Sequence, residues 1–201
     1  MGLFITIDGP NGAGKSTFIS NLLPIINNLG KIFVTKEPSN TDLGSFVKEN
    51  ECKISGLAYA YLIAADRAYH IEKEILPNLK ERSNIVLCDR YIESSLALQR
   101  FDGVPIDSIW KLNEDFPVPD LSIVLIASEE QLCQRLSIRK KLSRFELEME
   151  RRQEIEYYKD AYTYLKQKNF NVLLLDNDEK YFKDNLSIVI DNIKKLKREL
   201  I

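Results

Sequence analysis

Apolar residues gather in five short runs along the chain, at Leu3–Ile7, Lys31–Thr35, Ile85–Cys88, Leu121–Ile126 and Asn171–Leu175. Within each run the apolar positions are consecutive rather than alternate, the pattern of strands buried on both faces. Between them apolar positions recur three and four residues apart, as on one face of a helix, over Lys15–Leu29, about Gly56–Lys80, Ile92–Phe101, Glu129–Ser137 and Arg144–Lys168. Phe18, Ile19, Leu22, Leu23 and Ile26 mark the inward stripe of the first of these, and Lys180–Ile201 reads as a surface helix. Strand and helix therefore alternate from end to end, which predicts an α/β fold with a five-stranded parallel sheet flanked by helices on both faces. No repeat, low-complexity tract or Pro/Gly-rich linker interrupts the 201 residues, so a single domain over 1–201 is expected. In such sheets ligands gather beyond the carboxyl ends of the strands, where the sequence puts Gly9–Lys15, Glu37-Pro38 and Asp89-Arg90.

The first of these segments carries the strongest chemical signal. Gly9-Pro10-Asn11-Gly12-Ala13-Gly14-Lys15-Ser16-Thr17 follows the first strand and opens the first helix with the spacing G-x-x-x-x-G-K-S, the phosphate-cradling loop of the P-loop NTPase fold. Glycines let backbone N–H groups converge on a polyphosphate, and the helix points its positive end at the same charge. Lys15 then serves the β- and γ-phosphates and Ser16 offers a hydroxyl to Mg²⁺, so ATP and Mg²⁺ are the expected cofactors. Gly9, Asn11, Gly12, Ala13, Gly14, Lys15, Ser16 and Thr17 form the expected ATP cradle. Asp89, following the strand Ile85–Cys88, is placed to complete the metal shell; it could also cap the next helix, but a strand-terminal Asp in a P-loop protein more often serves the metal. Arg90 beside it favours phosphate.

Composition narrows the partners. With 28 Lys and Arg against 30 Asp and Glu the net charge is −2, which argues against nucleic acid or a membrane surface as an electrostatic partner. The three cysteines show no metal-type spacing and read as reduced, mostly buried small hydrophobes. No apolar run approaches the ~20 residues that span a bilayer, and the first strand begins without the basic stretch and cleavage site of a signal peptide. A cytoplasmic chain is expected.

Five ordered blocks extend the loop into a family pattern. They are Phe4-Ile5-Thr6-Ile7-Asp8-Gly9 through Thr17; Thr35-Lys36-Glu37-Pro38 followed by Thr41-Asp42-Leu43-Gly44; Ala64-Ala65-Asp66-Arg67-Ala68-Tyr69-His70; Asp89-Arg90-Tyr91-Ile92-Glu93-Ser94-Ser95-Leu96-Ala97 with Pro119-Asp120-Leu121; and Arg135 to Arg144 leading into Phe145-Glu146. In this order they resemble the thymidylate kinases among the nucleoside monophosphate kinases, over most of the chain. The resemblance implies transfer of the γ-phosphoryl of ATP to dTMP, by in-line attack of an acceptor phosphate oxygen that needs no histidine to activate it. It implies that Arg67 and Arg90 bind the acceptor, Arg90 at its phosphate, with Asp8, Lys36, Glu37, Pro38, Lys48, Ile63, Ser95, Leu98 and Gln99 around them. The basic stretch Arg135, Arg139, Lys140, Lys141 and Arg144 falls where the family has its mobile lid, here near 135–146. With no basic residue among Pro10, Asn11, Gly12 and Ala13, the lid would supply the catalytic arginine, Arg139 or Arg144, alongside Lys15 and Arg90. The family also implies a homodimer formed through helices near Leu57–Ile63.

Several positions depart from the family pattern. Ile63 stands where an aromatic residue would stack on thymine, and Leu98 replaces a tyrosine before Gln99. Asn11 replaces an acidic residue within the loop, Ser39-Asn40 stand in place of Gly-Gly, and Lys36 and Lys48 replace arginines, keeping charge without the guanidinium fork. Two alternatives to dTMP phosphorylation therefore stand beside it: a kinase of the same fold acting on another nucleotide or a specialised metabolite, and an ATP-binding regulatory protein.

Overall fold

A computed structural model describes residues 1–200. Its elements run in chain order β1 (Leu3–Asp8), α1 (Lys15–Ile26), β2 (Ile32–Lys36), α2 (Asp42–Asn50), α3 (Gly56–His70), which passes through a π-helical turn (Ile71–Ile75) into α4 (Leu76–Leu79), and β3 (Ile85–Asp89). There follow α5 (Ile92–Phe101), α6 (Ile106–Lys111), β4 (Leu121–Ile126), α7 (Glu129–Ser137), α8 (Arg144–Glu148), α9 (Arg151–Gln167), β5 (Val172–Asp176) and α10 (Phe182–Glu199). All pairings are parallel and the strand order is β2-β3-β1-β4-β5, so β1, which feeds the glycine loop, lies at the centre. The expected five-stranded parallel α/β sheet is the one observed.

β1 shows why its run is unbroken. Leu3, Ile5 and Ile7 face the apolar layer that holds Phe18, Leu22, Leu121, Ile123, Val189 and Ile193. Phe4 faces the opposite layer with Val86, Tyr91, Leu96, Tyr158 and Leu165. By strand alternation Thr6 and Asp8 share that second face. They bring hydroxyl and carboxylate groups under α5, where Thr6 Oγ1 donates to Glu93 Oε1 at 3.0 Å.

Three elements differ from the sequence reading. The helical stretch 144–168 is two helices: Ser143 and Glu146 close a capping box on α8, and the Arg151 guanidinium takes the carbonyls of Phe145, Glu146 and Met149, so the chain turns at Met149-Glu150. Helix α2 has only Leu43, Phe46 and Val47 as apolar residues, with a glycine in its first turn. That glycine is required, because a Cβ on Gly44 would lie 2.2 Å from the Ser39 carbonyl oxygen. The third is α6, a short helix over Ile106–Lys111 that lies outside the expected helical stretches, whereas α10 is the expected surface helix, its inward stripe of Leu186, Val189, Ile190 and Ile193 buried against the layer that holds α1. Cys88 is buried as expected, whereas Cys52 and Cys133 are exposed. Among the described residues no helix is long and apolar enough to cross a membrane.

Candidate active site

The loop after β1 depends on its glycines. Gly9, Gly12 and Gly14 have φ of 140°, 86° and 90°, values L side chains avoid. A Cβ on Gly9 would also sit 2.1 Å from the Leu125 carbonyl oxygen. The loop wraps Lys15, whose Nζ donates to Gly9 O at 2.7 Å and Pro10 O at 3.0 Å. Burial, and then the nearby Arg90 charge, lower the Lys15 pKa to about 8. A cavity of about 360 Å³ opens on the loop, walled by Asn11, Gly12, Gly14, Lys15, Ser16 and Thr17, with Asp89, Arg90, Arg135, Ile138 and Arg139 opposite. Asp89 Oδ1 is buried without a hydrogen-bond partner and shares this cavity with the Ser16 hydroxyl, a donor set that suits a hard divalent cation.

Asp89 does not cap the next helix. Asp8 does so from β1: its Oδ2 accepts from Tyr91 N at 2.9 Å and Ser94 N at 3.0 Å, satisfying the first turn of α5. Its Oδ1 accepts from Gly9 N at 2.8 Å, Ser94 Oγ at 2.7 Å and the Tyr158 hydroxyl at 3.0 Å. Both oxygens are committed and Asp8 is off the cavity walls, so this carboxylate builds the site instead of meeting an acceptor directly. Above it Arg90 adopts φ 75°. Its Nη1 donates to Ser94 Oγ at 3.0 Å and the Tyr158 hydroxyl at 3.1 Å, and its Nη2 to Asn11 Oδ1 at 2.7 Å. Burial alone would lower the Arg90 pKa, but Tyr158, Asp8, Asp89 and Glu154 hold it above its ordinary value. Asn11 stands where the family resemblance led to an acid, and a carboxylate reaches the same point from α9. Glu154 Oε1 accepts from Asn11 N at 2.8 Å and Nδ2 at 2.9 Å.

A second cavity, of about 270 Å³, adjoins the first, and Asn11, Arg90 and Arg139 line both. Of the expected acceptor residues, Glu37, Pro38, Ile63, Arg67, Arg90, Ser95, Leu98 and Gln99 line it. Gln99 is buried and its Oε1 has no partner. Arg67 is 1 % exposed, and its guanidinium donates to Glu37, Ser95, Asn113 and the Tyr91 carbonyl, so it offers the cavity a face and no free fork. Lys36 and Lys48 lie off this wall. Lys36 is exposed in a groove it shares with Ser16 and Asp89, and Lys48 Nζ donates to the Ser39 carbonyl at 2.7 Å. The aromatic wall expected to be missing is supplied from other positions, by Tyr59 one turn before Ile63 on α3 and by Phe145 of α8.

The two lid arginines separate clearly. Arg144 is buried, with Nη1 and Nη2 on the two oxygens of Asp102 at 2.7 and 2.8 Å, and it lines neither cavity. Arg139 is 47 % exposed, paired with Glu146, and stands at the junction of both cavities. Arg135, expected only as part of the basic lid stretch, lies over the loop with Nη1 3.2 Å from the Gly12 carbonyl oxygen. With Gly14, Thr17, Asn177, Glu179 and Phe182 it also borders a pocket on the far side of the loop. Its position in a run of surface cations concealed this, as did the distance along the chain to Asn177. The lone histidine stays within the scaffold, with His70 Nε2 2.7 Å from Thr35 Oγ1 and Nδ1 3.3 Å from Glu37.

A glycine loop on the central strand of a five-stranded parallel sheet, beside a second cavity reached past two arginines, is the construction of a P-loop phosphotransferase. A family model described as thymidylate kinase matches residues 7–184. A probable thymidylate kinase of Pyrococcus abyssi is 36 % identical over 171 residues, 80 % of this chain and 83 % of that protein. A thymidylate kinase of Exiguobacterium is 34 % identical over 188 residues, 89 % and 88 % of the two chains. The chain belongs to the thymidylate kinase family. A solved structure of thymidylate kinase from Candida albicans shares the fold, with a TM-score of 0.77 at 23 % identity over 98 % of this chain and 92 % of that one.

Proposed function

We propose that the protein transfers the γ-phosphoryl group of ATP to the phosphate of dTMP, giving dTDP and ADP. One observation carries the reading: the glycine-loop cavity and the Gln99 cavity meet at a shared wall of Asn11, Arg90 and Arg139. In this reading the triphosphate lies along Gly9–Thr17 with Lys15 at the β- and γ-phosphates, and its base occupies the pocket beside Arg135 and Asn177. Arg90 binds the acceptor phosphate, and Arg139, on a lid near 135–146, meets the charge that develops on the transferring group. Ser16 and Asp89 would hold Mg²⁺, which when bound neutralises charge on the β- and γ-phosphates. An anionic phosphate oxygen is already a competent nucleophile, so positioning and charge neutralisation supply the catalysis without a general base. In the acceptor cavity the Gln99 amide offers an acceptor and donors suited to the N–H and carbonyl groups of thymine, between the apolar walls of Ile63, Leu98 and Phe145.

Incubation with ATP, Mg²⁺ and a panel of nucleoside monophosphates tests this reading. ADP and dTDP should form, with dTMP the preferred acceptor. Turnover of another acceptor in its place would move the protein to a different substrate, and ATP binding without turnover of any acceptor would leave a regulatory protein. The proposed assembly is a homodimer joined through α3, whose exposed Leu57 and Tyr61 lie one helical turn apart, with Tyr69 two turns further along.

A further inference from the structure

Glu154 lines neither cavity and is 0 % exposed, yet its carboxylate is the hub of a buried network that ends at Arg90. Oε1 accepts from Asn11 N at 2.8 Å and Asn11 Nδ2 at 2.9 Å, and Oε2 accepts from Arg151 Nη1 at 2.6 Å. The first pair determines which way the Asn11 amide faces. With Nδ2 on the carboxylate, Oδ1 is turned to Arg90 Nη2, which donates to it at 2.7 Å. Flipped, the amide would set N–H against N–H at Arg90 and oxygen against oxygen at Glu154. One turn along α9, the Tyr158 hydroxyl accepts from Arg90 Nη1 at 3.1 Å and donates to Asp8 Oδ1 at 3.0 Å. Both groups of the guanidinium are thus held from α9, Nη2 through Asn11 and Nη1 by Tyr158 together with Ser94 Oγ of α5 at 3.0 Å. Arg151, which pairs with Glu154, also takes the carbonyls that end α8, the helix that carries Phe145 and Glu146 on the acceptor cavity wall.

We propose that Glu154 is a positioning residue for phosphoryl transfer: through the Asn11 amide, and with Tyr158 beside it, Glu154 aims Arg90 at the acceptor phosphate, and through Arg151 it ties that aim to α8. The inference rests on the reading of Arg90 as the acceptor-phosphate ligand. Its signature is selective. Loosening Arg90 weakens the acceptor side, whereas the glycine-loop backbone and Lys15 still hold ATP.

Glu154→Gln is expected to raise KM for dTMP about tenfold, the scale of one hydrogen bond to a charged group, with KM for ATP changed less than about twofold. Tyr158→Phe, which removes only the hydroxyl, should shift KM for dTMP about threefold in the same sense. Asn11→Asp sets two carboxylates side by side and should lower kcat/KM for dTMP by more than about tenfold and lower Tm. Adding Glu154→Gln to Asn11→Asp removes one of the two facing carboxylates and should recover part of both losses, but not all, because the atom at Oε1 cannot both accept the Asn11 backbone N–H and donate to a carboxylate. Equal rises in the two KM values, or a fall in Tm alone with Tyr158→Phe inert and no rescue in the double variant, overturn the inference. The Tm cycle of Asn11→Asp and Glu154→Gln needs no acceptor, and additive effects there overturn it whatever the substrate. If the unsubstituted protein fails with dTMP, only the proposed function falls, and the KM split is read with the acceptor the panel identifies.

Discussion

Two lid arginines that look equivalent in the sequence are set apart by their surroundings, which gives them opposite expected phenotypes. Arg144 and Asp102 form a two-pronged pair with side chains 8 % and 4 % exposed. Arg144→Ala leaves the Asp102 carboxylate unpaired, and should cost about 3 kcal/mol of stability, read by denaturant unfolding, while the folded fraction keeps most of its turnover. Arg139→Ala loses a half-exposed cation at the junction of the two cavities, and kcat should fall about a hundredfold with Tm almost unchanged. Lys15 carries a pH dependence as well. Its pKa near 8 belongs to the ligand-free protein, and a polyphosphate beside Nζ raises it. ATP binding therefore takes up a proton above pH 8. Affinity should be flat below that pH and fall up to about tenfold per unit above it, with Lys15→Ala abolishing the dependence in calorimetric titrations. The glycine loop was legible from sequence because its backbone angles admit little but glycine. Glu154 and Tyr158 were not legible, because Asn11 and Asp8, which they meet, lie more than a hundred residues away and a helical Glu or Tyr carries no local mark of such a contact.

The elements were legible where one physical constraint dominated. Unbroken apolar runs mark the strands, and all five are found within a residue or so of the expected positions, although only β1, β3 and β4 are buried on both faces, the edge strands β2 and β5 being half-exposed. Helix α2 escaped because the close approach at Ser39 demands Gly44, a helix-weakening residue, in its first turn. The break between α8 and α9 escaped because Arg151 makes it by capturing carbonyls, without proline or glycine. Helix α5 shows a cost of this packing. It lays Glu93 beneath the sheet with Oε1 on the Thr6 hydroxyl and Oε2 unpartnered, and burial, with Asp8 nearby, pushes the Glu93 pKa up to about 7. Between the ordinary carboxylate value of 4.5 and 7 the folded chain binds more protons than the unfolded one. The stability this contributes is complete below the lower value and is lost as pH rises through the upper one. Glu93→Gln, fixed in the neutral form, should match the parent near pH 5 and exceed it at pH 8 by on the order of 2 kcal/mol in chemical denaturation.

At the scale of the molecule, the order β2-β3-β1-β4-β5 places the ends of β1, β2 and β3 side by side, so three segments far apart in sequence meet at one edge of the sheet. Alternation of strand and helix foretold that convergence, although not which strand would be central. The outward faces follow a different logic, since nothing in the sheet requires them to be apolar. α3 nonetheless exposes Leu57 at 48 %, Tyr61 at 56 % and Tyr69 at 42 %, spaced by four and eight residues along one side of the helix, with Phe46 of α2 exposed at 47 %. Single exposed apolar residues are ordinary, but a row at helical spacing makes a surface suited to a second copy of itself. In the proposed homodimer this row forms the two-fold interface, where each copy presents the same patch to the other. Tyr61→Asp would place two carboxylates near that axis while removing a side chain that fills no part of the core. Light scattering should then show a dimer for the parent and a monomer for the variant, with secondary structure by circular dichroism unchanged. A parent that is monomeric at tens of micromolar, or a variant that stays dimeric, would exclude α3 as the seam.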